Sequence, residues 1–229
     1  MKALIISLVV LLGLLVVADR VTVNIAEQKV AEQIARQGGL DGTPAVDITG
    51  FPFLTQAIAG HYDDIRIALT AQELKQPAGT RANVSLRGVD VPLSDALSGS
   101  VSQIPVDRVD GTATLSYALL AAQLGGDSTL RREGNGLRIT KTVTVLGQTL
   151  PLSATGTVRL DGNVLVLDVA DVTGAGVQVP RAMLSRVSHL LDLSYRVPAL
   201  PFGLKLTSVR PAAAGVVVTV AARHTVLRR

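Results

Sequence analysis

The sequence predicts an α+β fold in which long antiparallel strands, joined by tight hairpins, are the main element. Apolar and polar residues alternate with a period of two over several stretches, including 65–70 and 137–145. The turn sequences Gly134-Asn135-Gly136 and Asp161-Gly162-Asn163 each lie between alternating stretches, which is typical of β-hairpins. A helical period occurs in a few separate segments, so helices accompany the strands.

The N-terminal segment predicts export. Ala3 to Ala18 form an unbroken apolar run that Asp19-Arg20 closes. At 1.5 Å per residue the run spans roughly 24 Å, which is shorter than the ~30 Å hydrocarbon core of a bilayer. This length suits the apolar region of a secretion signal, with Val16-Val17-Ala18 as a cleavage site. The alternative is an uncleaved anchor, so residues 1–18 are predicted to be a signal peptide or an N-terminal membrane anchor.

The rest of the chain, residues 19–229, is predicted to form a single domain because no linker divides it. Hydrophobic residues make up 48% of the chain and aromatic residues 3%, so the apolar content is mainly aliphatic and favours strands. The chain contains no Cys. An exported protein of this kind is not a disulfide scaffold, and thiolate metal sites and Cys nucleophiles are excluded.

Three further segments have a helical pattern. In Asp19–Gln37, apolar residues recur at helical spacing and Gly38-Gly39 provides a stop; these residues are Val23, Ala26, Val30 and Ile34. A short helix is predicted for Tyr117–Leu124, before Gly125-Gly126. A third is predicted for Pro180–Leu191, where Pro suits the first turn and the apolar residues share one face.

Two other strand regions complete the prediction. In 82–91 the apolar phase changes across Arg87-Gly88, which suggests a β-bulge that bends the strand. The C-terminal part predicts a strand pair, 204–209 and 216–227. The run Val216-Val217-Val218 is apolar on both faces, so this strand must be covered on both sides.

The stretch 48–62 has an unusual composition. Phe51 and Phe53 are two of the three Phe residues of the chain, and they flank Pro52 between two glycines. This is the chemistry of a turn rather than of the middle of a strand or helix. Aromatic side chains at a turn need an apolar cover, which is the core of the protein, a bound lipid or a membrane.

The sequence predicts no enzymatic activity, no metal site and no cofactor. The three histidines, His61, His189 and His224, are not spaced as metal ligands with each other or with a carboxylate motif. Ser188-His189 lacks the glycine context of a nucleophile elbow. The net charge of +4 is scattered and basic residues do not alternate with aromatic ones, so nucleic-acid binding is not expected.

Specific segments of the chain resemble the LmeA-like family of actinobacterial exported proteins. These are the leader, the turn Gly50–Gln56 that runs into Gly60-His61-Tyr62, and the block Leu200–Pro211. The resemblance implies phospholipid binding. It also implies a part in mannan elongation during lipomannan and lipoarabinomannan maturation in the cell envelope. The implied fold resembles the tubular lipid-binding (BPI-like, TULIP-like) class, in which a long curved antiparallel sheet wraps around helices and encloses acyl chains.

On this interpretation the protein is exported to the periplasm or cell envelope, associates with the membrane surface and has an envelope glycosyltransferase as a possible partner. Its apolar lipid-binding or membrane-contacting residues are predicted to be Phe51, Phe53, Leu54, Tyr62, Met183, Leu184, Val187, Leu190, Leu191, Leu200, Phe202 and Leu204. Possible contacts of an anionic phospholipid headgroup are Arg181, Arg186, Arg196, Lys205 and Arg210. The alternatives are ordinary core packing for each Phe and solvated surface positions for each basic residue. The alternative function is a membrane-anchored structural or adaptor module for a glycan-building enzyme, without bound lipid.

Overall fold

The computed structural model describes residues 2–99, 101–125, 128–145, 148–174, 177–178, 194–196 and 205–228. The described helices, in chain order, are α1 (Lys2–Gly38), α2 (Phe53–Ala59), α3 (Leu93–Ser98) and α4 (Tyr117–Leu124). The described strands are β1 (Ala45–Thr49), β2 (His61–Leu69), β3 (Arg81–Asp90), β4 (Gln103–Ser116), β5 (Ser128–Glu133), β6 (Gly136–Val145), β7 (Gln148–Asp161), β8 (Val164–Gly174), β9 (Val177–Gln178), β10 (Ser194–Arg196), β11 (Lys205–Ala212) and β12 (Gly215–Arg228).

The protein has long antiparallel sheets, one of them strongly curled, which confirms the predicted α+β class with a curved sheet. The strands of one sheet follow the order β1-β2-β3-β4-β12-β11. The other has the order β10-β8-β7-β6-β5, and β9 pairs with β8 beside this path. Both predicted hairpins are confirmed, because Glu133 pairs with Gly136 and Asp161 pairs with Val164.

The chain divides into two compact units. Unit 1 comprises Met1–Leu69, Asn83–Asp110 and Ala222–Arg229, and unit 2 comprises Thr70–Ala82 and Gly111–Ala221. Because the chain passes from one unit to the other several times, neither unit is a contiguous segment. The expectation of a single lipid-binding domain over residues 19–229 stays a prediction.

Unit 1 confirms the helix that the sequence predicts after Asp19. Val23 is buried, and the three other predicted apolar positions are half-buried; these are Ala26, Val30 and Ile34. The helix is held to β1 by a polar contact, since the backbone N–H of Ile48 donates to Glu27 Oε1 over 2.9 Å. Gly88 in β3 has a φ of 59°, the left-handed conformation that the predicted bend requires.

The short helices α2 and α3 were not predicted. The sequence indicates a turn at Phe51-Pro52, but the chain continues from Phe53 into α2 rather than into an irregular loop. Gly60, with a φ of 71°, ends α2 in the left-handed conformation. Both helices have fewer than eight residues. Two turns are too short for a helical period to be recognised.

Unit 2 places α4 against a large aliphatic core. The Ser116 hydroxyl caps this helix by accepting from the backbone N–H of Leu119 over 3.2 Å, so its predicted bounds are confirmed. The buried members of the core cluster are Leu120, Leu124, Leu130, Leu137, Ile139, Leu152, Ala154, Leu165, Leu167, Val172, Val216 and Val218. The predicted C-terminal strand pair is confirmed as β11 and β12. The predicted helix Pro180–Leu191 lies outside the described residues.

Candidate functional site

The first half of α1 exposes its apolar side chains. Every large apolar residue from Leu4 to Val17 is exposed, by between 45% and 73%. Among the described residues α1 is the one helix that is long and apolar enough to cross a membrane, by length and composition. A secretion signal near the N-terminus meets the same criteria, so this helix suits either a signal peptide or a membrane anchor.

Asp19 follows this apolar run and is 2% exposed. Its Oδ1 accepts a hydrogen bond of 2.8 Å from the backbone N–H of Leu54, in the first turn of α2. Because the residue before α2 is Pro52, which provides no side-chain cap, Asp19 supplies the acceptor that this turn lacks. Asp19 Oδ2 forms no hydrogen bond, but it lies 3.4 Å from Arg20 Nη2 in an ion pair.

Arg20 and Phe51 meet beside this cap. The guanidinium carbon of Arg20 lies 5.0 Å from the centroid of the Phe51 ring, which is within the range of a cation–π contact. Phe51 is 61% exposed, so its other side faces away from the protein. The ring is therefore held at the end of the apolar segment of α1 without being buried.

Phe53 and Tyr62 occupy the interior of unit 1. They are buried, and their ring centroids are 6.1 Å apart. Burial raises the pKa of the Tyr62 hydroxyl. The structure therefore separates the predicted aromatic residues: Phe53 and Tyr62 are brought together inside, Leu54 is half-buried and Phe51 is exposed.

A buried glutamine fixes the turn that carries these rings. The Gln56 side chain donates from Nε2 to the carbonyl of Thr49 over 3.2 Å. Its Oε1 accepts from the backbone N–H of Asp63 over 3.0 Å. Gln56 thus links the chain before α2 to the strand after it, and the orientation of α2 is set on both sides.

Exposed apolar side chains lie on α2, on α3 and just before α2. Ile58 on α2 is 76% exposed and Leu97 on α3 is 80% exposed. The end of α2 and the start of α3 are adjacent, because the backbone N–H of Val91 donates to the carbonyl of Gly60 over 2.8 Å. We call the exposed residues Phe51, Ile58, Leu93 and Leu97 the α2–α3 patch.

An exposed ion pair lies in the strands that connect to these helices. His61 Nδ1 is 2.6 Å from Asp90 Oδ1. His61 follows the glycine that ends α2, and Asp90 ends the strand that leads to α3. The hydrogen bond with the Asp90 carboxylate raises the pKa of His61 above its ordinary value.

Unit 2 contains a buried aliphatic cluster with partly buried apolar side chains around it. All the buried members of that cluster are aliphatic. Partly buried apolar side chains pack against it, and these are Leu115, Tyr117, Ala121, Val158, Leu160, Val169, Tyr195, Leu206 and Val209. Tyr117 is held by its hydroxyl, which donates to the carbonyl of Ala212 over 2.6 Å.

The predicted headgroup contacts that the structure describes all belong to unit 2. Arg196, Lys205 and Arg210 are exposed, and none of the three forms an ion pair with another described residue. Arg196 lies on β10, in one sheet, whereas Lys205 and Arg210 lie on β11, in the other. The remaining predicted site residues lie outside the described residues: Arg181, Met183, Leu184, Arg186, Val187, Leu190, Leu191, Leu200, Phe202 and Leu204.

Sequence reasoning missed Asp19, Arg20, Ile58 and Leu97 as site residues. The first two were interpreted as the polar end of the leader, and their contacts with α2 could not be read from local pattern. The spacing of Phe53, Ala57 and Gly60 was the one local signal of a short helix with a buried face. Once α2 is recognised, Ile58 falls on its outer face.

Comparison with known proteins identifies one relationship. A family model described as LmeA-like phospholipid-binding matches residues 17–221 of the 229-residue chain. The matched span contains α2, α3, α4 and the buried aliphatic cluster of unit 2. Neither a curated protein nor a solved structure matches the chain.

Proposed function

The chain belongs to the LmeA-like phospholipid-binding family, and we therefore propose that it is a non-catalytic phospholipid-binding protein of the cell envelope. In this proposal it holds acyl chains in an apolar cavity. The resemblance of the Pro-Phe turn and of the block Leu200–Pro211 to the same family supports the assignment. Retention of a lipid needs apolar surface rather than reactive side chains.

The observation that carries the proposal is the aliphatic cluster of unit 2. Its buried side chains are aliphatic without exception, and half-buried Leu206 and Val209 on β11 pack against it. Branched aliphatic side chains complement a hydrocarbon chain in shape and polarity. Each methylene that leaves water contributes about 0.8 kcal/mol, so an acyl chain is retained by several such contributions. We therefore assign acyl-chain binding to this cluster.

The basic residues Arg196, Lys205 and Arg210 are the proposed contacts of the lipid phosphate among the described residues. A phosphate is recognised by charge-assisted hydrogen bonds, and a guanidinium donates two of them in parallel. Their exposure and lack of a carboxylate partner among the described residues leave these cations free to bind an anion. Arg181 and Arg186 belong to the same proposal.

The proposed cellular role is supported by the N-terminal apolar helix and by the family. The exposed apolar helix suits export to the periplasm or cell envelope, either as a cleaved signal or as a retained anchor. We propose that bound phospholipid supports lipoglycan (mannan) maturation at the membrane surface, together with an envelope glycosyltransferase. The competing function is an adaptor without bound lipid, which the following experiment separates from lipid binding.

The test uses two charge insertions on β11 of the full chain. Leu206→Asp places a carboxylate against the aliphatic cluster, whereas Ser208→Asp places one at an exposed position of the same strand. Because a charge in an apolar site is strongly disfavoured, we expect Leu206→Asp to reduce binding of a fluorescent phospholipid at least tenfold. Ser208→Asp should bind as the natural chain does. Far-UV circular dichroism at the assay temperature confirms that both variants are folded.

Equal phospholipid binding by the folded Leu206→Asp variant and the Ser208→Asp control would remove the cluster as the binding surface. Failure of the natural chain to bind any phospholipid, together with recovery of a glycan-building enzyme by crosslinking, would favour the adaptor function.

A further inference from the structure

We propose that the α2–α3 patch rests in the surface of the bilayer that the apolar half of α1 enters, with Arg20 at the level of the lipid headgroups. This surface belongs to unit 1, and the acyl-chain site proposed above belongs to unit 2. The inference therefore goes beyond lipid binding. Membrane contact by unit 1 can fail while acyl-chain binding by unit 2 holds, and the reverse.

The position of α2 along α1 is the first argument. The apolar run ends at Ala18, so residue 19 marks the boundary of the hydrocarbon region when α1 is inserted. The hydrogen bond from Leu54 N–H to Asp19 places the first turn of α2 at that same level. At 1.5 Å per residue α2 is about 10 Å long. Interfacial helices bury their apolar face to a depth of about 5–10 Å, so α2 lies within reach of the bilayer surface.

The exposure of the patch is the second argument. A single exposed Leu or Ile is ordinary on a protein surface. Here Ile58 on α2, Leu97 on α3 and Phe51, two residues before α2, are each more than 60% exposed. The first of them, α2, is hydrogen-bonded through Leu54 to Asp19, directly after the exposed apolar run of α1. Several exposed apolar side chains close to a membrane-entering segment are typical of a membrane contact.

The charge at the boundary is the third argument. Arg20 is 53% exposed and lies against the face of Phe51, and it also pairs with the buried Asp19. A long basic side chain at the end of a membrane helix extends its charge to the phosphates while its stem covers apolar surface. Arg20 is the one basic residue between Lys2 and Lys29, so only one position in this part of α1 offers a positive charge to the lipid headgroups.

Continuity with α1 favours the bilayer over other occupants of the patch. When α1 is retained as an anchor, a second copy of the chain or a protein partner would have to cover the patch beside a helix that is in lipid. The bilayer covers both surfaces at once, because the first turn of α2 is hydrogen-bonded to Asp19, directly after the apolar run of α1. The following experiment distinguishes the bilayer from a second copy of the chain or a protein partner.

The absence of Trp and Cys from the chain allows a direct measurement. Single variants Ile58→Trp and Leu97→Trp of the full chain are reconstituted into vesicles of phosphatidylcholine and phosphatidylglycerol, with and without brominated acyl chains. The control is Gln37→Trp, an exposed position roughly 27 Å along α1 from Asp19. We expect brominated lipid to quench Trp at 58 and 97 at least twofold and to leave Trp at 37 unquenched.

Two results would overturn the proposal. Emission at 58 and 97 that is no more quenched than at 37 means that the patch faces water. Blue-shifted emission that brominated lipid does not quench means that a protein covers it. If a Trp variant lowers the melting temperature, the smaller replacements Ile58→Cys and Leu97→Cys with a bimane label give the same readout. The phospholipid content of the detergent-washed protein is measured by organic extraction before reconstitution, because it reports on unit 2 and stays unchanged when the membrane contact fails.

Discussion

Asp19 is the first buried residue of α1, and from there one face of the helix is packed while Val21 and Ile25 stay exposed. The large apolar side chains before it are exposed, whereas Val23, one turn later, is 5% exposed. A carboxylate is buried only at a cost unless it has polar partners, and here the partners are Leu54 N–H and Arg20. Asp19 and the rest of α1 therefore belong to unit 1, whether or not the preceding segment is removed.

His61 carries the pH-dependent interaction that we expect to be measurable in unit 1. Its hydrogen bond with Asp90, opposed by partial desolvation, raises its pKa above 6.5. A raised pKa means that protonated His61 stabilises the folded state fully below pH 6.5, and that this contribution is lost as pH rises through the folded pKa. We expect the imidazole NMR signals of His61 to titrate above pH 6.5 in the natural chain.

The matched variant for this titration is Asp90→Asn, which keeps the shape of the side chain and removes its charge. Its His61 pKa should fall towards the ordinary value. Identical titration curves for the two proteins would show that Asp90 does not set the charge state of His61. Both side chains are about half exposed, so the effect on the free energy of unfolding is small.

At the scale of single elements, α2 and the turn before it carry one buried and one exposed phenylalanine. Phe53 is 4% exposed and packs against Tyr62, whereas Phe51, two residues earlier, is 61% exposed. The same change at the two positions separates core packing from surface contact. We expect Phe53→Ala to lower the free energy of unfolding by about 3–5 kcal/mol, because it leaves a cavity in unit 1. Phe51→Ala should change it by less than about 0.5 kcal/mol.

Urea unfolding of both full-length variants, followed by circular dichroism, makes this comparison. Equal losses of stability at the two positions would contradict the described difference between a buried Phe53 and an exposed Phe51. A folded Phe53→Ala variant with natural stability would mean that this ring is not part of the core.

Local sequence patterns predict the elements that are long or that are bounded by characteristic turn residues. The hairpins at Gly134 and Gly162 and the helix Tyr117–Leu124 follow from turn residues and short-range periodicity, so their bounds could be read directly. The helices α2 and α3 were missed because each has fewer than two full turns of apolar spacing. The patch was missed with them, although Phe51, its first member, was recognised as an aromatic residue at a turn.

At the scale of the whole molecule, the strand order is the feature that the sequence could not supply. In the order β1-β2-β3-β4-β12-β11, β4 neighbours β12, although about a hundred residues separate them in the chain. Pairing over such a distance depends on tertiary packing rather than on local pattern. The same holds for the aliphatic cluster of unit 2, which combines α4, four strands of one sheet and β12.

The two units have different cores, and this difference is the basis for proposing a different function for each unit. Unit 1 contains the packed Phe53 and Tyr62 and the exposed α2–α3 patch beside α1. Unit 2 contains an aliphatic cluster whose large members are Leu, Ile and Val. We assign membrane contact to the first and acyl-chain binding to the second.

The measurement that tests lipid binding most directly is organic extraction of the full chain, purified from the membranes of the cells that produce it, followed by mass spectrometry. We expect phospholipid in constant molar proportion to the protein across preparations, even after extensive detergent washing. A detergent-matched membrane protein of unrelated fold, purified in parallel, gives the background of adherent lipid. Phospholipid at that background level, in a chain that also fails to take up added phospholipid, would contradict the proposed function.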